Sequence, residues 1–392
     1  MGTDSEARIV GQWAAIYDAV YESAEDSSGA DFAGWRSSIT GENYSPAETA
    51  EWLDGTVDEI LSLGPDSVLE IGAGTGLVVA GLLPHVGRYV GTDISATAVA
   101  RMTRDHGPHP GTEFRVGDAD APDLPDGFDV VVLNSVIHHF PGPGYLRRAL
   151  ERAVKACAVG GTVFVGDVHS LPLREALRLC VLAGRSPGET TAGRVRELLA
   201  EQAAQERELV IEPAFFPAFA AEHGLVADMR LKPGVCATEM NLFRYDVRLR
   251  PAGTPLIVPG SHRTVPWDGR TAARLVADAA GKGGAVTVTG LLHPDLAPPV
   301  TALGELRGLD AVARVDVGAL LDGAHAAGEG GVRPGELRAL AAANGLACYC
   351  LPAARESARY DAVLAPEGAA SGPAAEAAPL SGRELTNVPR LQ

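Results

Sequence analysis

Apolar and polar positions along this chain change period twice. From about Arg8 to Leu61 the apolar residues recur at helical spacing. IYDAVY sets Ile16 against Val20 and Tyr17 against Tyr21 at i, i+4, and an apolar stripe runs from Ala47 to Leu61. A polar break interrupts this region near Ser27 to Asp31. Then short apolar runs alternate with amphipathic ones. DSVLEIG, RYVGTDI, TEFRVGD, FDVVVLNS and GGTVFVGDV read as strands, while TGLVVAGLLPHV, SATAVARMTRDH and YLRRALERAVKAC read as helices. Strands alternating with helices at this pitch predict parallel βαβ units with right-handed crossovers.

Farther on, LPLREALRLCVLAG and AGRVRELLAEQAAQERELVIEP read as helices, and HGLVADMRLKPG and EMNLFRYDVRLRP as strands. Proline and glycine cluster between Pro251 and Gly269, which predicts a linker. GAVTVTGLL (strand), RPGELRALAAANG (helix), LACYCLP and ARYDAVLAP (strands) follow, and EGAASGPAAEAAPLSG from Glu367 reads as a low-complexity, disordered tail. The expected fold is α/β: a doubly wound, mostly parallel sheet with an N-terminal helical cap and a smaller α/β C-terminal region. The expected divisions are 1–61 for the cap, 62–250 for the core, 251–269 for the linker, 270–366 for the C-terminal region and 367–392 for the tail.

The net charge of −17 argues against nucleic acid or an anionic membrane surface as partner. Five cysteines, an odd number with no CxxC pair, fit a reducing compartment better than a disulfide framework or a zinc site. The N-terminus lacks the pattern of a signal peptide, and no run of about twenty apolar residues is present. A cytoplasmic protein is expected.

Chemistry concentrates at three successive strand ends. VLEIGAGTG closes the first strand with Glu70, then brings the backbone close to a ligand at Gly72, Gly74 and Gly76, where a Cβ would block the turn. Asp93 ends the next strand and Asp118 the third. Either aspartate alone could simply cap the following helix. All three in register point instead to a nucleoside-bearing ligand.

These segments, with VVLNS, resemble the cofactor motifs of class I S-adenosylmethionine-dependent methyltransferases in order and spacing. The resemblance implies S-adenosyl-L-methionine as cofactor. Glu70 and the glycines would then lie at its methionine end, Asp93 with Ile94 at the ribose, Asp118 with Ala119 at the adenine, and Asn134 with Ser135 on the sulfonium side. GWRSSITGENYSPAETAEWLDGTV, VVLNSVIHHFPGPGYL, GDVHSLPL and TEMNLFRYDVRL further resemble methyltransferase domains embedded in non-ribosomal peptide synthetases. Those domains mostly methylate the amino nitrogen of a carrier-bound aminoacyl thioester. Glu239, Arg244 and Tyr245 match their signature, whereas Thr238, Met240 and Asn241 depart from it. His138 and His139 stand where Gln and Tyr are usual, and His169 where Arg is usual. With no adenylation or carrier sequence alongside, the chain looks like a free-standing relative.

The adjacent histidines are candidates for a general base, since an unperturbed imidazole titrates near pH 6.5. On extended backbone they would face opposite sides, so one of them is expected to face the acceptor. Asp167 and His169 could complete a two-histidine, one-carboxylate metal site, but the resembled family carries none and no metal is expected. Glu239 is expected to orient the acceptor and, with His138 and His139, forms the candidate catalytic set. Tyr21, Trp35, Asp167, His169, Asn241 and Arg244 are the candidate substrate contacts. Core packing competes with a lid role for Tyr17, Tyr21, Trp35, Tyr44 and Trp52 and is favoured by their helical spacing.

The function expected is methyl transfer to a nitrogen of a small amino-acid or peptide-like natural-product intermediate. Transfer to a hydroxyl or carboxyl group through a histidine base is the alternative, and a non-catalytic module docking on a synthetase is a third reading. The expected partner is a small-molecule or carrier-protein-tethered substrate, with a homodimer left open.

Overall fold

The computed structural model describes residues 2–23, 35–185, 188–253, 262–352, 357–367, 385–387 and 389. Its main sheet has seven strands: β1 (Ser67–Ile71), β2 (Arg88–Asp93), β3 (Thr112–Val116), β4 (Phe128–Asn134), β5 (Cys157–His169), β6 (Leu225–Leu231) and β7 (Arg244–Pro251). They lie in the order β3-β2-β1-β4-β5-β7-β6. The first five are parallel, while β7 runs antiparallel to both β5 and β6. This is the doubly wound, mostly parallel sheet expected.

Because helices cover both faces, β1 and β4 are buried along nearly their whole length and carry apolar runs at their centres, as buried parallel strands do. Their alternation sorts the core. Leu69, Val131, Leu133 and Val165 pack against Leu146, Ala149, Leu150 and Ala153 of one helix. Val68, Val130 and Val132 join Ile60, Val79, Leu82 and Met102 on the opposite face. Strand order reverses between β1 and β4, and the crevice beyond the carboxyl ends there is where such sheets bind ligands.

Helix α1 spans Gly2–Ser23 and α2 spans Pro46–Leu61. α2 starts where Ser45 and Glu48 form a capping box around Pro46. The stretch between Trp35 and Tyr44, expected to be helical, is instead a turn closed by an Arg36–Asn43 bridge. Gly41, at φ 74°, takes a left-handed conformation that ends helical propagation.

A second sheet, β8 (His262–Pro266), β9 (Ala285–Leu292), β10 (Leu346–Leu351) and β11 (Arg359–Pro366), has the order β10-β11-β9-β8. β8 lies inside the segment read as a linker, and its parallel pairing with β9 outweighs the local proline and glycine content. Three helices of this region, Ala272–Lys282, Ala297–Gly308 and Val317–Gly323, were not read from the sequence. The C-terminal unit docks against α2 partly through ions, with Arg338 reaching Glu59 at 2.7 Å. Most of the expected disordered tail lies outside the described residues. Residues 385–387 return to the core, where Thr386 bridges Ile211 and Asn387 accepts from the Val210 amide at 2.8 Å.

Candidate active site

The carboxyl ends of β1, β2 and β4 open into a cavity of about 460 Å³, well within the size range of small-ligand pockets. Glu70, Gly72, Gly74, Asp93, Ile94, Ala119, Asn134 and Ser135 all line it. The glycine turn is obligatory: Gly72 sits at φ 77°, and a Cβ there would meet Val136 Cγ2 at 2.4 Å. The Gly74 amide donates to Asp93 Oδ2 at 2.8 Å, while Asp93 Oδ1 accepts from the Ser95 amide at 2.8 Å. Asp93 therefore staples the turn to the next helix, whose N-cap is Ser95 itself. Burial raises the Glu70 carboxyl to about 8, against the lowering effect of its Tyr89 hydrogen bond.

These groups fit S-adenosylmethionine. The buried Asn134 Oδ1 has no hydrogen-bond partner, and the Glu70 and Asp93 carboxyl groups on the cavity wall are of the kind that an ammonium and ribose hydroxyls call for. Asp118 departs from expectation: Gly117 and Ala119 border the cavity instead. Its Oδ1 accepts from the Tyr145 hydroxyl and from the Asp120 amide, 2.8 Å away, so a local turn has claimed the carboxylate. Gly76 lies beyond the cavity lining, at the start of the helix after the turn.

Helix α1 roofs the cleft. Val10, Trp13, Tyr17, Val20 and Tyr21 face the cavity, with Trp35, Tyr44 and Trp52 beside them. The aromatic residues read as core thus wall the site, although Trp52 is also buried at 3% exposure. The core reading failed to anticipate a helix packed across a cavity rather than onto a sheet. Polar pins fasten the roof on both flanks. Asp18 accepts from Ser95 Oγ at 2.5 Å and from the Thr97 amide at 3.2 Å, and Arg148 holds Glu6 at 2.9 Å. Asp18→Ala is expected to weaken S-adenosylhomocysteine binding about threefold to tenfold, measured by calorimetry, because one pin of about 1 kcal/mol is lost.

His138 and His139 sit on a tight 3-10 turn (Ile137–His139), not on extended backbone. Both therefore border the cavity, correcting the expectation that they face opposite sides. The Tyr17 hydroxyl pairs with His139 Nε2 at 2.5 Å. The His138 ring stacks on His169 at 4.3 Å and 7°, and His169 Nδ1 lies 3.1 Å from Glu208 Oε2. Burial lowers all three imidazoles, taking His139 to about 4 and His138 well below its usual value, with the neighbouring rings lowering His138 further. They are neutral and weakly basic, contrary to the expectation of a base poised near neutrality. Among the described residues no three His, Cys, Asp or Glu side chains are arranged to hold a metal.

Glu239 Oε2 accepts from the Ser38 amide (3.0 Å) and Ser38 Oγ (2.9 Å). It lines the first cavity and a second one of about 380 Å³, as do Arg244 and Trp13. Three expected substrate contacts lie elsewhere. Asp167 is fully buried behind Ser135 and Arg244. His169 borders the second cavity only. Asn241 donates to Glu51 Oε1 at 2.7 Å and to the Cys236 carbonyl at 2.9 Å, so its amide group is spent on closing that loop. Ser38, Asp18, Arg174 and Glu208 were not singled out from the sequence. Asp18 and Arg174 lie on helices (Gly2–Ser23 and Arg174–Gly184) and Ser38 and Glu208 in connecting segments, and none of them has a spacing signal.

Strand order, the glycine turn and the acidic strand ends agree with an S-adenosylmethionine-dependent methyltransferase domain. Residues 69–163 match the family described as a methyltransferase domain. The chain is 33% identical over 267 residues to chondramide synthase of Chondromyces crocatus, covering 66% of this chain and 7% of the synthase. It is 37% identical over 248 residues to a probable nonribosomal peptide synthetase of Salinispora arenicola, covering 62% of this chain and 3% of that protein. The chain thus spans under a tenth of these relatives' length. No helix among the described residues is long and apolar enough to cross a membrane.

Proposed function

We propose that the chain methylates a nitrogen of a small amino-acid or peptide-like intermediate, free or tethered to a carrier protein. Bound S-adenosylmethionine supplies a methyl group activated by a sulfonium leaving group, so the protein's task is to orient an acceptor and exclude water. The α1 roof serves exclusion. Glu239, clamped by Ser38, and Arg244 serve orientation.

One observation favours nitrogen over oxygen: the weak basicity of the histidine wall. A hydroxyl acceptor needs a base matched to the working pH, and burial holds His139 at about 4 and His138 below its ordinary range. A neutral amine carries its own lone pair and needs none. The buried Glu239 carboxylate suits an amine whose positive charge develops during transfer. Sequence likeness to peptide synthetases supports an amino-acid-like acceptor.

The test uses carbon-13 methyl-labelled cofactor with nitrogen-15 valine, offered free and as its N-acetylcysteamine thioester. A one-bond coupling between the new methyl carbon and nitrogen is the expected result. A methyl carried on oxygen or carbon sinks the reading.

A further inference from the structure

Two non-glycine residues at adjacent strand ends take left-handed backbone conformations, Ser135 after β4 (φ 53°) and Asp167 in β5 (φ 64°). Such strain persists only where the surroundings over-determine it. Here those surroundings are a set of bonds to one carboxylate. Asp167 Oδ2 accepts from Ser135 Oγ at 3.0 Å and from the Arg244 guanidinium. Oδ1 accepts from Trp52 Nε1 at 3.2 Å and lies 3.9 Å from Lys232 Nζ. The Asp167 amide donates to Asp246 Oδ1 at 2.8 Å, which Lys232 also holds at 3.1 Å.

Ser135, Trp52 and Arg244 all line the catalytic cavity, whereas Asp167 lies behind it with no exposed surface. Ser135 belongs to the cofactor side, and Arg244 reaches both cavities on the acceptor side. We propose that Asp167 is a positioning residue that fixes the Arg244 guanidinium relative to the cofactor-side strand end, so that acceptor and methyl donor are aligned. This rests on the proposed methyl transfer for its readout. An arginine side chain has many rotamers, and a buried carboxylate anchored by its own backbone selects one of them. Burial would raise the Asp167 carboxyl, yet Arg244 and Lys232 hold it at about 2, so it is ionised throughout the working range.

The buried cluster of Asp167, Asp246, Lys232 and Arg244 is neutral overall, so single neutralisations leave an uncompensated charge and threaten folding. Three double variants keep the balance. D167N/K232M leaves Arg244 present but unanchored. D167N/R244M removes it. K232M/D246N leaves the Asp167–Arg244 pair intact. Turnover is measured with the valine thioester and with its 2-hydroxy acid counterpart, alongside S-adenosylhomocysteine affinity and melting temperature.

D167N/K232M and D167N/R244M are expected to lose about 100-fold in kcat alike, with S-adenosylhomocysteine affinity within about threefold of wild type. K232M/D246N should stay within about threefold of wild type in kcat, and all three should melt within about 5 °C of it. Full turnover in D167N/K232M overturns the proposal, as does an equal loss in K232M/D246N. Collapse of D167N/K232M while K232M/D246N folds makes Asp167 a folding residue and overturns it too. Transfer only to the hydroxyl probe sinks the nitrogen reading and leaves this one testable on that probe. Transfer to neither probe overturns both.

Discussion

Glu239→Gln is expected to lower kcat about 100-fold while S-adenosylhomocysteine affinity stays within about threefold. Gln keeps the size of the side chain, and its carbonyl oxygen still accepts from the Ser38 amide and hydroxyl, which now bind Glu239 Oε2 at 3.0 and 2.9 Å. What disappears is the negative charge, in a buried position at the junction of the two cavities. A charge in such a site acts through a low local dielectric and matters more than in water. The cofactor half of the cleft, built from the ends of β1, β2 and β4, is untouched. Steady-state kinetics with titration calorimetry decide the matter. A variant that keeps its kcat removes Glu239 from acceptor orientation, and one that chiefly loses cofactor affinity relocates it.

The second large effect is loss of stability in mild acid. A histidine whose folded pKa is lowered binds its proton preferentially in the unfolded chain, so stability falls as pH drops below the unfolded value. For His139 the lowering from 6.5 to about 4 corresponds to about 3 kcal/mol, lost progressively across that interval. His138 and His169 are lowered as well and add to the same acid limb. Glu208, Arg174, Arg244 and Tyr17 face the cluster. Glu208 opposes the lowering, whereas Arg244 reinforces it.

Glu70 acts with the opposite sign. Raised from 4.5 to about 8, it keeps its proton in the folded state and loses stability as pH rises through that window. Between 4.5 and 6.5 these three histidines, joined by His293, which burial likewise lowers to about 4, outweigh one glutamate, and above 6.5 the alkaline loss from the glutamate takes over. The melting temperature should therefore peak near pH 6.5, with a steep acid limb and a shallow alkaline one. Replacing His138 and His139 with Gln and Tyr should make the acid limb shallower, His169 and His293 still contributing, and spare S-adenosylhomocysteine binding. A scan from pH 4.5 to 8.5 showing no acid limb in the parent protein contradicts the buried, neutral state of the histidines.

The parts of the site legible in the sequence are those where one local segment must supply several properties at once. VLEIGAGTG joins a buried strand to a turn that only glycine can make, and Glu70, Gly72 and Gly74 of that segment line the cavity. Asp93 follows at the next strand end by the same register. Asp118 shows the limit of that logic, because a strand-end position does not say which neighbour claims the carboxylate, and here Tyr145 and the Asp120 amide do so. The histidines show it again. Adjacent residues alternate on a strand, but a 3-10 turn puts both His138 and His139 against the cavity. Strand β8 was read as a linker because its pairing partner, β9, lies about twenty residues downstream, beyond any local signal.

The sequence by itself determined the alternating βαβ pattern, the apolar faces that make the sheet doubly wound, and the cofactor turn, because each depends on neighbouring residues and backbone sterics. Only the tertiary structure decided that α1 roofs the cleft through Asp18 and Glu6. It alone brought Ser38 to Glu239, and gathered Ser135, Trp52, Lys232 and Arg244 around Asp167. Those contacts join residues far apart in the chain, and their energy comes from pairing buried charges and polar groups that are individually costly. No local pattern encodes which partner a buried charge will meet.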